Sequence, residues 1–457
     1  MNNKTINILY ELKSPFGVLG MGYDRKSIPI IFEYLNSMDS DSFEANSSVR
    51  YSSVEKYRKL EKFSDFYEIL QESYNSNIKI NQKLYTDITT YDLDNSKNIF
   101  TIISAHDEPI VDYVSNNEIS DLFFDKTLLF VKNNPSVKIL FIDNKEGSYK
   151  YNFEFFESFR KFVIKSGISN SQLVFITNSV NIENDYQSYL KDNKLVKFMK
   201  VKTIPFYIYP SAGMCIDSYL SMNCETTEHR NQSYSLPAIE DLDLPRNKYY
   251  MCLNRNSGRF HRPKLILELI KLNLFNKGNI SLLKSSEFDM FCKLPLNAEY
   301  KKLIGDVYPF VVDVEDAEVV SGMHNFFTKK DIWLDTYFSI VSETSVNEYS
   351  TFITEKTVRP MIYYHPFIVW GNPNTLSYLR SIGFETFPEF FDESYDSVHN
   401  EKDRLNIILD NVNRLCNMDI TEIHNLYQIV KPKLIHNRNL LLELYKSDKL
   451  YEELLHI

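Results

Sequence analysis

The stretch WLDTYFSIVSETSVNEYSTFITEKTVRPMIYYHPFIVWG, residues 333–371, predicts a strand, a helix and a second strand. Both of its ends, 333–344 and 366–371, are rich in apolar, aromatic and β-branched residues, as buried strands are. Between them Thr354 is a favourable helix N-cap, and apolar residues follow it at helical spacing. Such an order predicts parallel strands joined by a right-handed crossover.

The same alternation recurs along the chain. Further strands are predicted at 98–106, 137–144, 171–179, 248–254 and 279–283, with amphipathic helices between them. A proline-containing acidic segment at 233–247 reads as a linker. The sequence therefore predicts an α/β protein of two Rossmann-like lobes with a cleft between them and a helical C-terminal tail. The predicted ranges are 1–240 and 241–400 for the lobes and 401–457 for the tail.

Composition narrows the class of protein. The formal net charge is -10, with 61 acidic and 51 basic residues, which argues against a long unspecific nucleic-acid groove. The odd number of cysteines, 5, without a CxxC pair, predicts neither a zinc site nor a disulfide framework and suits a reducing compartment. No signal-peptide core and no long apolar run are present, so we expect a cytoplasmic protein without a membrane span. The abundance of Asn, Lys, Ile and Tyr suggests a bacterial or viral genome.

A cluster of cations follows the predicted strand at 248–254 and leads into a helix. The segment CLNRNSGRFHRPKL contributes Asn254, Arg255, Arg259, His261 and Arg262. Cationic side chains beside a helix N-terminus suit an anion such as phosphate, because the backbone N–H groups and the helix dipole add to their charge. A solvated basic loop is the alternative.

The segment after the strand at 333–344 carries a second cluster. Glu343 ends that strand, and Thr354 precedes Glu355 and Lys356 at the start of the predicted helix. A glutamate that accepts two hydroxyl hydrogen bonds is a common ribose ligand, and a lysine supplies a compact charge for a diphosphate. Gly371, after the last strand, would let the backbone approach a ligand closely. A capped surface helix is the alternative.

In the first lobe, ISAHDEP ends a predicted strand and places His106, Asp107 and Glu108 towards the supposed cleft. A carboxylate or an imidazole there is a candidate base for an acceptor hydroxyl. Asp143, at the end of the next predicted strand, is a second candidate. The sequence does not rank these residues.

The segment SETSVNEYSTFITEKTVRPMIYYHPFIVWG, residues 342–371, resembles the donor-binding segment of the α-1,3-fucosyltransferase family. Together with CLNR…HR at 252–262 and YLRSIGFETF at 378–387, it is also similar to uncharacterised glycosyltransferase-like proteins of phages and bacteria. The resemblance covers roughly residues 248–440. It implies a two-lobed GT-B glycosyltransferase whose C-terminal lobe binds a nucleotide-sugar donor.

Carried onto this chain, the family's ribose ligand is Glu355, its diphosphate ligand is Lys356, and Arg255 is the upstream cation. The resemblance also implies a UDP- or GDP-sugar donor, inversion at the anomeric carbon, no metal in the nucleotide site and a base in the N-terminal lobe. The spacing of Glu343, Glu348 and Glu355 does not reproduce the glutamate pair of retaining relatives, which likewise favours inversion.

Several alternatives stay open at this point. The acceptor could be a glycan, a protein or a hydroxymethylated base of viral DNA, in a bacterial cell or an infected host cell. A catalytically inactive nucleotide- or glycan-binding protein derived from such an enzyme would keep Glu355 and Lys356 for binding alone. An interaction protein in which all these charges lie on the surface would bind no nucleotide.

Overall fold

The computed structural model describes residues 4–11, 78–85, 93, 97–103, 119–143, 150–203, 236–254, 258–282, 312 and 330–446. For 4–11, 78–85 and 97–103, and for positions 121, 122, 142, 445 and 446, only the backbone is described. The chain divides into two compact units, and the division falls after residue 206. The boundaries predicted at 240 and 400 stay predictions.

The first unit contains a parallel sheet. Its strands are β1 (Lys4–Glu11), β2 (Ile78–Tyr85), β3 (Lys97–Ile103), β4 (Lys138–Asp143), β5 (Leu173–Thr177) and β6 (Lys200–Thr203). They are arranged in the order β2-β1-β3-β4-β5-β6, and every described pair is parallel. The strands predicted at 98–106, 137–144 and 171–179 are confirmed as β3, β4 and β5. Three strands, β1, β2 and β6, were not predicted. Lys, Asn and Gln interrupt the apolar pattern of the edge strand β2, and Lys interrupts that of the edge strand β6.

The described part of this unit contains a short 3-10 helix (Ile119–Leu122) and three α-helices: α1 (Asp125–Asn133), α2 (Phe153–Ser166) and α3 (Ile182–Asp192). Local signals define α2 well. The Asn152 side chain accepts a hydrogen bond from the Phe155 backbone N–H at 3.0 Å, and Gly167 ends the helix at φ 66°. Its buried face, at helical spacing, is Phe155, Phe156, Phe159, Phe162 and Val163.

The second unit contains a smaller parallel sheet. Its strands are β7 (Lys248–Asn254), β8 (Gly278–Leu282), β9 (Thr336–Ser342) and β10 (Phe367–Trp370), in the order β10-β9-β7-β8. The helices between and beside them are α4 (His261–Lys271), α5 (Lys330–Leu334), α6 (Glu355–Ile362) and α7 (Thr375–Ser381). The predicted strand–helix–strand unit is confirmed, but its first strand begins at Thr336 because α5 occupies the residues before it.

The last described elements are α8 (Glu401–Cys416) and α9 (Ile420–Lys446), in the range predicted as a helical tail. Their apolar faces share one continuous core with the second sheet. From these helices the core takes Leu405, Ile408, Val412, Leu415, Tyr427, Val430, Leu434 and Leu441. Through residue 445 these helices are therefore an integral part of the second unit.

The predicted α/β class is confirmed, since each sheet is parallel and helices connect strands within it. Each described helix is too short or too polar to cross a membrane.

Candidate functional site

The second sheet has a topological switch point between β7 and β9. From β7 the chain passes through α4 to β8 on one side, and from β9 it passes through α6 to β10 on the other side. In open α/β sheets, ligands bind beyond the carboxyl ends of the strands at such a point. Asn254 ends β7 and Ser342 ends β9, so the two predicted clusters begin on either side of it.

The carboxylate of Glu343 organises the start of α6. Its Oε1 accepts hydrogen bonds from the Thr354 N–H at 3.1 Å and the Thr357 hydroxyl at 2.5 Å. Its Oε2 accepts from the Thr354 hydroxyl at 2.7 Å and the Thr344 N–H at 3.3 Å. Glu343 is 0% exposed. Both oxygens thus accept hydrogen bonds from within the protein, which gives Glu343 a positioning role, and its contact with a ligand stays a prediction.

The Thr354–Lys356 triplet has the geometry of a helix cap carrying an ion pair. The Thr354 hydroxyl accepts from the Lys356 N–H at 3.3 Å, which confirms the predicted N-cap. Lys356 Nζ lies 2.6 Å from Glu355 Oε1, 3.2 Å from Thr354 Oγ1 and 3.4 Å from Thr344 Oγ1. Both charged side chains keep about a quarter of their surface exposed, 24% for Lys356 and 26% for Glu355. They can therefore reach a ligand.

Glu355 is held in its ionised form. Burial raises the pKa of its carboxyl group, but the charge and hydrogen bond of Lys356 and the nearby Arg359 outweigh this effect. The pKa of Glu355 consequently lies below its ordinary value. An ionised carboxylate only accepts hydrogen bonds, which suits it to a pair of sugar hydroxyls.

The start of α4 is joined directly to the segment after β9. Arg259 Nη1 donates to the Thr344 carbonyl at 2.9 Å, and His261 Nε2 lies 2.9 Å from the Glu343 carbonyl oxygen. Arg262 is buried beside them. No acidic residue lies in the first turn of α4, so no acidic side chain of that turn offsets the positive end of the helix dipole. The fold thus brings the two predicted clusters together in an arrangement suited to an anion.

The imidazole of His261 is neutral at physiological pH. Burial, aided by the charges of Arg262, Arg259 and Lys356, lowers its pKa to about 4, although the hydrogen bond to the Glu343 carbonyl acts in the opposite direction. Since a carbonyl oxygen can only accept, Nε2 carries the proton and Nδ1 is an acceptor. The ring also packs edge-on against Trp370, with centroids 5.5 Å apart. His261 therefore joins the two segments without adding a charge.

We expect His261 to make the free energy of unfolding depend on pH. Below about pH 6.5 the unfolded histidine binds a proton, whereas the folded ring stays neutral down to about pH 4. Its contribution is therefore complete above pH 6.5 and decreases as the pH falls. Between pH 7.5 and pH 5 the loss is about 2 kcal/mol, and a His261→Gln variant should lack it. Urea unfolding of both proteins at the two pH values measures the difference.

The control for this measurement is the exposed His399, whose replacement by glutamine should leave the pH dependence unchanged. If His261→Gln kept the same pH dependence as the parent protein, the neutral buried state of His261 would be wrong.

A row of buried polar atoms crosses the carboxyl edge of the sheet. The register pairs Ser342 with Trp370, and the pairing of Met251 with Ser339, continued by three residues, sets Asn254 beside Ser342. Asn254 Oδ1, Ser342 Oγ and Trp370 Nε1 are buried and have no hydrogen-bond partner in the part of the chain that the structure describes. Such atoms are rare in folded proteins. Sequence reasoning found Asn254 but missed Ser342, because a serine in an apolar strand gives no signal of its own.

Gly371 lies close to the side chains of Glu343 and Val369. A Cβ atom on it would lie 3.4 Å from Cβ and Cγ of Glu343 and 3.3 Å from Cγ1 of Val369. The side chain of Glu343 therefore packs beside Gly371, and the close approach of a ligand to the Gly371 backbone stays a prediction.

The loop between β9 and α6 is held in place by residues that sequence reasoning missed. Asn372 accepts from the Glu348 N–H at 2.9 Å and donates to the Ser350 carbonyl at 2.7 Å. Arg404, from α8, donates to the Val346 carbonyl. Two distant elements thus determine the path of this loop, and contacts over such sequence separations leave no local pattern.

The remaining predicted residues fall partly outside the described chain. His106, Asp107, Glu108 and Arg255 lie outside the described residues. Asp143 is buried at the end of β4, where its Oδ2 accepts from the Tyr151 hydroxyl at 2.8 Å. The same hydroxyl lies 2.7 Å from Thr177 Oγ1, at the end of β5. Among the described residues, no group of three or more His, Cys, Asp and Glu side chains could hold a metal ion.

A groove of about 570 Å³ lies at the opposite, amino end of the second sheet. Its polar lining is already paired: Asp335 accepts from Asn247 at 2.9 Å and from Asn279 at 3.2 Å. It is separate from the clustered cations, and we therefore place the candidate site at the carboxyl edge.

Comparison with known proteins finds similarity to solved structures only, since no protein-family model and no curated protein matches the sequence. The pneumococcal O-GlcNAc transferase GtfA, in complex with UDP and GlcNAc, gives a TM-score of 0.36 at 10% identity, over 79% of this chain and 57% of that chain. A mutant of S. aureus TarM in complex with fondaparinux, alpha-GlcNAc-glycerol and UDP gives a TM-score of 0.28 at 13% identity, over 77% of this chain and 55% of that chain. S. aureus MnaA with UDP gives a TM-score of 0.32 at 8% identity, over 99% of this chain and 97% of that chain.

The chain spans a little over half the length of the first two of these proteins. TM-scores of this size establish neither kinship nor activity, and the resemblance to fucosyltransferases and to phage proteins stays a prediction. We therefore infer the function from the chain's own residues.

Proposed function

We propose that the chain is a glycosyltransferase of the GT-B type that binds a nucleotide-sugar donor at the carboxyl edge of its second sheet. The observation that carries the proposal is the convergence of Lys356 and Arg259 on Thr344. Both cations lie at the starts of helices, α6 and α4, beside the switch point of the sheet. Helix N-termini and clustered cations together favour a phosphate-bearing ligand.

The ionised Glu355 beside Lys356 selects for a nucleotide over inorganic phosphate. A carboxylate repels a bare phosphate, whereas it binds the vicinal hydroxyls of a ribose. We assign Lys356 and Arg259 to the diphosphate and Glu355 to the ribose. The short contact between Lys356 and Glu355 gives way when the ligand supplies both with new partners. A UDP- or GDP-sugar provides all of these groups.

The reaction that we propose is an inverting transfer without a metal in the nucleotide site. A base in the first unit takes the proton of the acceptor hydroxyl, and His106, Asp107, Glu108 and Asp143 are the candidates. The acceptor oxygen attacks the anomeric carbon while the bond from that carbon to the phosphate oxygen breaks. The nucleoside diphosphate leaves with the electron pair, and Lys356 and Arg259 stabilise its charge. A glycan, a protein or a hydroxymethylated DNA base would serve as acceptor.

Replacing Lys356 with alanine tests the proposal. We expect the affinity for UDP or GDP, measured by calorimetry, to fall about tenfold to a hundredfold, because a charge-assisted hydrogen bond to phosphate is lost. Lys271→Ala, at the far end of α4, is the matched control and should bind as the parent protein does.

If the Lys356→Ala variant bound UDP or GDP as tightly as the parent protein, the placement of the donor site at this edge of the sheet would be wrong. Binding by the parent without any transfer or hydrolysis of nucleotide sugars would assign the chain to the inactive binding proteins. Absence of binding to any nucleotide would favour an interaction protein.

A further inference from the structure

The side chain of Asn372 is bonded at three points to the loop between β9 and α6. Its Nδ2 donates to the Ser345 hydroxyl at 3.1 Å and to the Ser350 carbonyl at 2.7 Å, and its Oδ1 accepts from the Glu348 N–H at 2.9 Å. An asparagine amide has two N–H donors, so both are engaged. Asn372 is 3% exposed. One buried side chain therefore holds both ends and the middle of the segment 345–350.

The backbone that carries this side chain is itself joined to the sheet and to a helix. Asn372 lies two residues beyond β10, whose last residue, Trp370, accepts a hydrogen bond from the Glu343 N–H at 3.0 Å. The Asn372 carbonyl accepts from the hydroxyl of Thr375, the first residue of α7, at 2.7 Å. Asn372 thus connects the loop to regular elements of the second unit.

The loop begins with the residue on which both cations of the candidate site converge. Thr344 Oγ1 lies 3.4 Å from Lys356 Nζ, and the Thr344 carbonyl accepts from Arg259 Nη1 at 2.9 Å. Ser345, which Asn372 contacts, follows Thr344 directly in the chain. A displacement of Ser345 therefore displaces a partner of each cation.

We propose that Asn372 is a positioning residue for the diphosphate of the nucleotide ligand. It acts through the loop, residues 344–351, by keeping Thr344 where Lys356 and Arg259 can face the same anion. This inference rests on the proposed function, and it names a residue outside the cation clusters on which the affinity for the donor depends. With the loop held in advance, the ligand does not have to order it on binding.

Loss of the Asn372 amide gives the loop other placements without unfolding the protein. Glu343 still accepts from the N–H groups of Thr344 and Thr354 and so still holds the residues at the two ends of the loop. Only a fraction of the molecules then has the placement that binds the ligand. If that fraction is about one in ten, the apparent affinity falls about tenfold.

The test compares Asn372→Ala with Asn437→Ala in the full chain. Asn437, in α9, is 1% exposed and exchanges two hydrogen bonds with the backbone of Glu385, each of 2.8 Å. Both variants should therefore have a lower midpoint of thermal unfolding. Calorimetric titration with UDP and with GDP should show about tenfold weaker binding for Asn372→Ala and the parent's affinity for Asn437→Ala.

Two further measurements show whether Asn372 acts through the loop. Ser345→Ala removes one of its three contacts and should weaken binding less than Asn372→Ala does. The double variant should bind as Asn372→Ala does, because that contact is already lost. In Asn372→Ala the Glu348 N–H should exchange its hydrogen faster, and saturating UDP or GDP should slow the exchange again, since the ligand orders the loop.

The outcomes distinguish this inference from the proposed function. An Asn372→Ala variant that binds UDP or GDP with the parent's affinity overturns the positioning role. An equal loss of affinity in Asn437→Ala does so too, and so do additive losses in the double variant. In each case nucleotide binding that depends on Lys356 leaves the proposed function standing. A parent protein that binds neither nucleotide overturns the proposed function together with the inference.

Discussion

Replacing Glu343 with alanine should lower the free energy of unfolding by about 4 kcal/mol and abolish measurable nucleotide binding. The substitution leaves the Thr354 and Thr344 N–H groups and two threonine hydroxyls without their acceptor in a site that water does not reach. Each buried donor without a partner costs about 1–3 kcal/mol. The start of α6 then loses its fixed position, and Glu355 and Lys356 lose their placement with it.

Glu343→Gln separates the two effects. It preserves volume and one acceptor oxygen, but its NH₂ group faces a backbone N–H donor at Thr354 or Thr344. We expect a smaller loss of stability and still at least tenfold weaker binding of UDP or GDP, because the cap is disturbed where the ligand binds. Urea unfolding and calorimetry measure both quantities. Glu348→Ala, in the same loop but exposed, is the control. Normal binding by a folded Glu343→Ala variant would contradict the positioning role.

Replacing Arg246 with alanine should destabilise the second unit by about 3–5 kcal/mol. Arg246 is 3% exposed, and its guanidinium donates to the carbonyls of Trp333 and Thr336 and to the Tyr427 hydroxyl, and lies 2.8 Å from His365 Nε2. It also lies over the Tyr427 ring, 4.3 Å from its centroid. These partners belong to α5, β9, the turn before β10, and α9. One side chain thus connects the linker to the sheet and to the last helix.

The Arg246→Ala substitution should lower the midpoint of thermal unfolding. The variant that is still folded should bind UDP or GDP with unchanged affinity. Arg246 contacts the amino end of β9, whereas the candidate site lies at the carboxyl end. Arg160→Ala is the control, since Arg160 forms a partly exposed ion pair with Glu157, and such pairs contribute about 1 kcal/mol or less. A similar midpoint for Arg246→Ala and Arg160→Ala would contradict the connecting role.

Much of the fold was predictable because its signals are local. The strands at 248–254 and 366–371 are uninterrupted apolar runs, and their burial in a parallel sheet needs nothing else. Likewise Asn152, Gly167 and Thr354 mark helix ends through bonds to residues two to four positions away. The edge strand β6 was not predicted because each of its residues is partly exposed, so its sequence does not need to be apolar.

The candidate site likewise has features that the sequence predicts and features that depend on the fold. Its cations and Glu355 were found from the sequence, since they follow strands and precede helices. What each group does was decided by residues far along the chain. Glu343 became a buried acceptor because Thr354 and Thr357 turn back onto it, and His261 became neutral because the fold buries it among Arg259, Arg262 and Lys356.

By itself, therefore, the sequence determined the α/β class, the order of strands and helices in the second unit, and the residue types available at the carboxyl edge. These follow from periodicity and capping, which act within one helical turn or one strand. Only the tertiary structure decided which carboxylate is enclosed and which stays partly exposed, which histidine carries no charge, and that α8 and α9 belong to the core. Those outcomes depend on burial and on contacts such as that of Arg404 with Val346, whose partners meet only once the chain has folded.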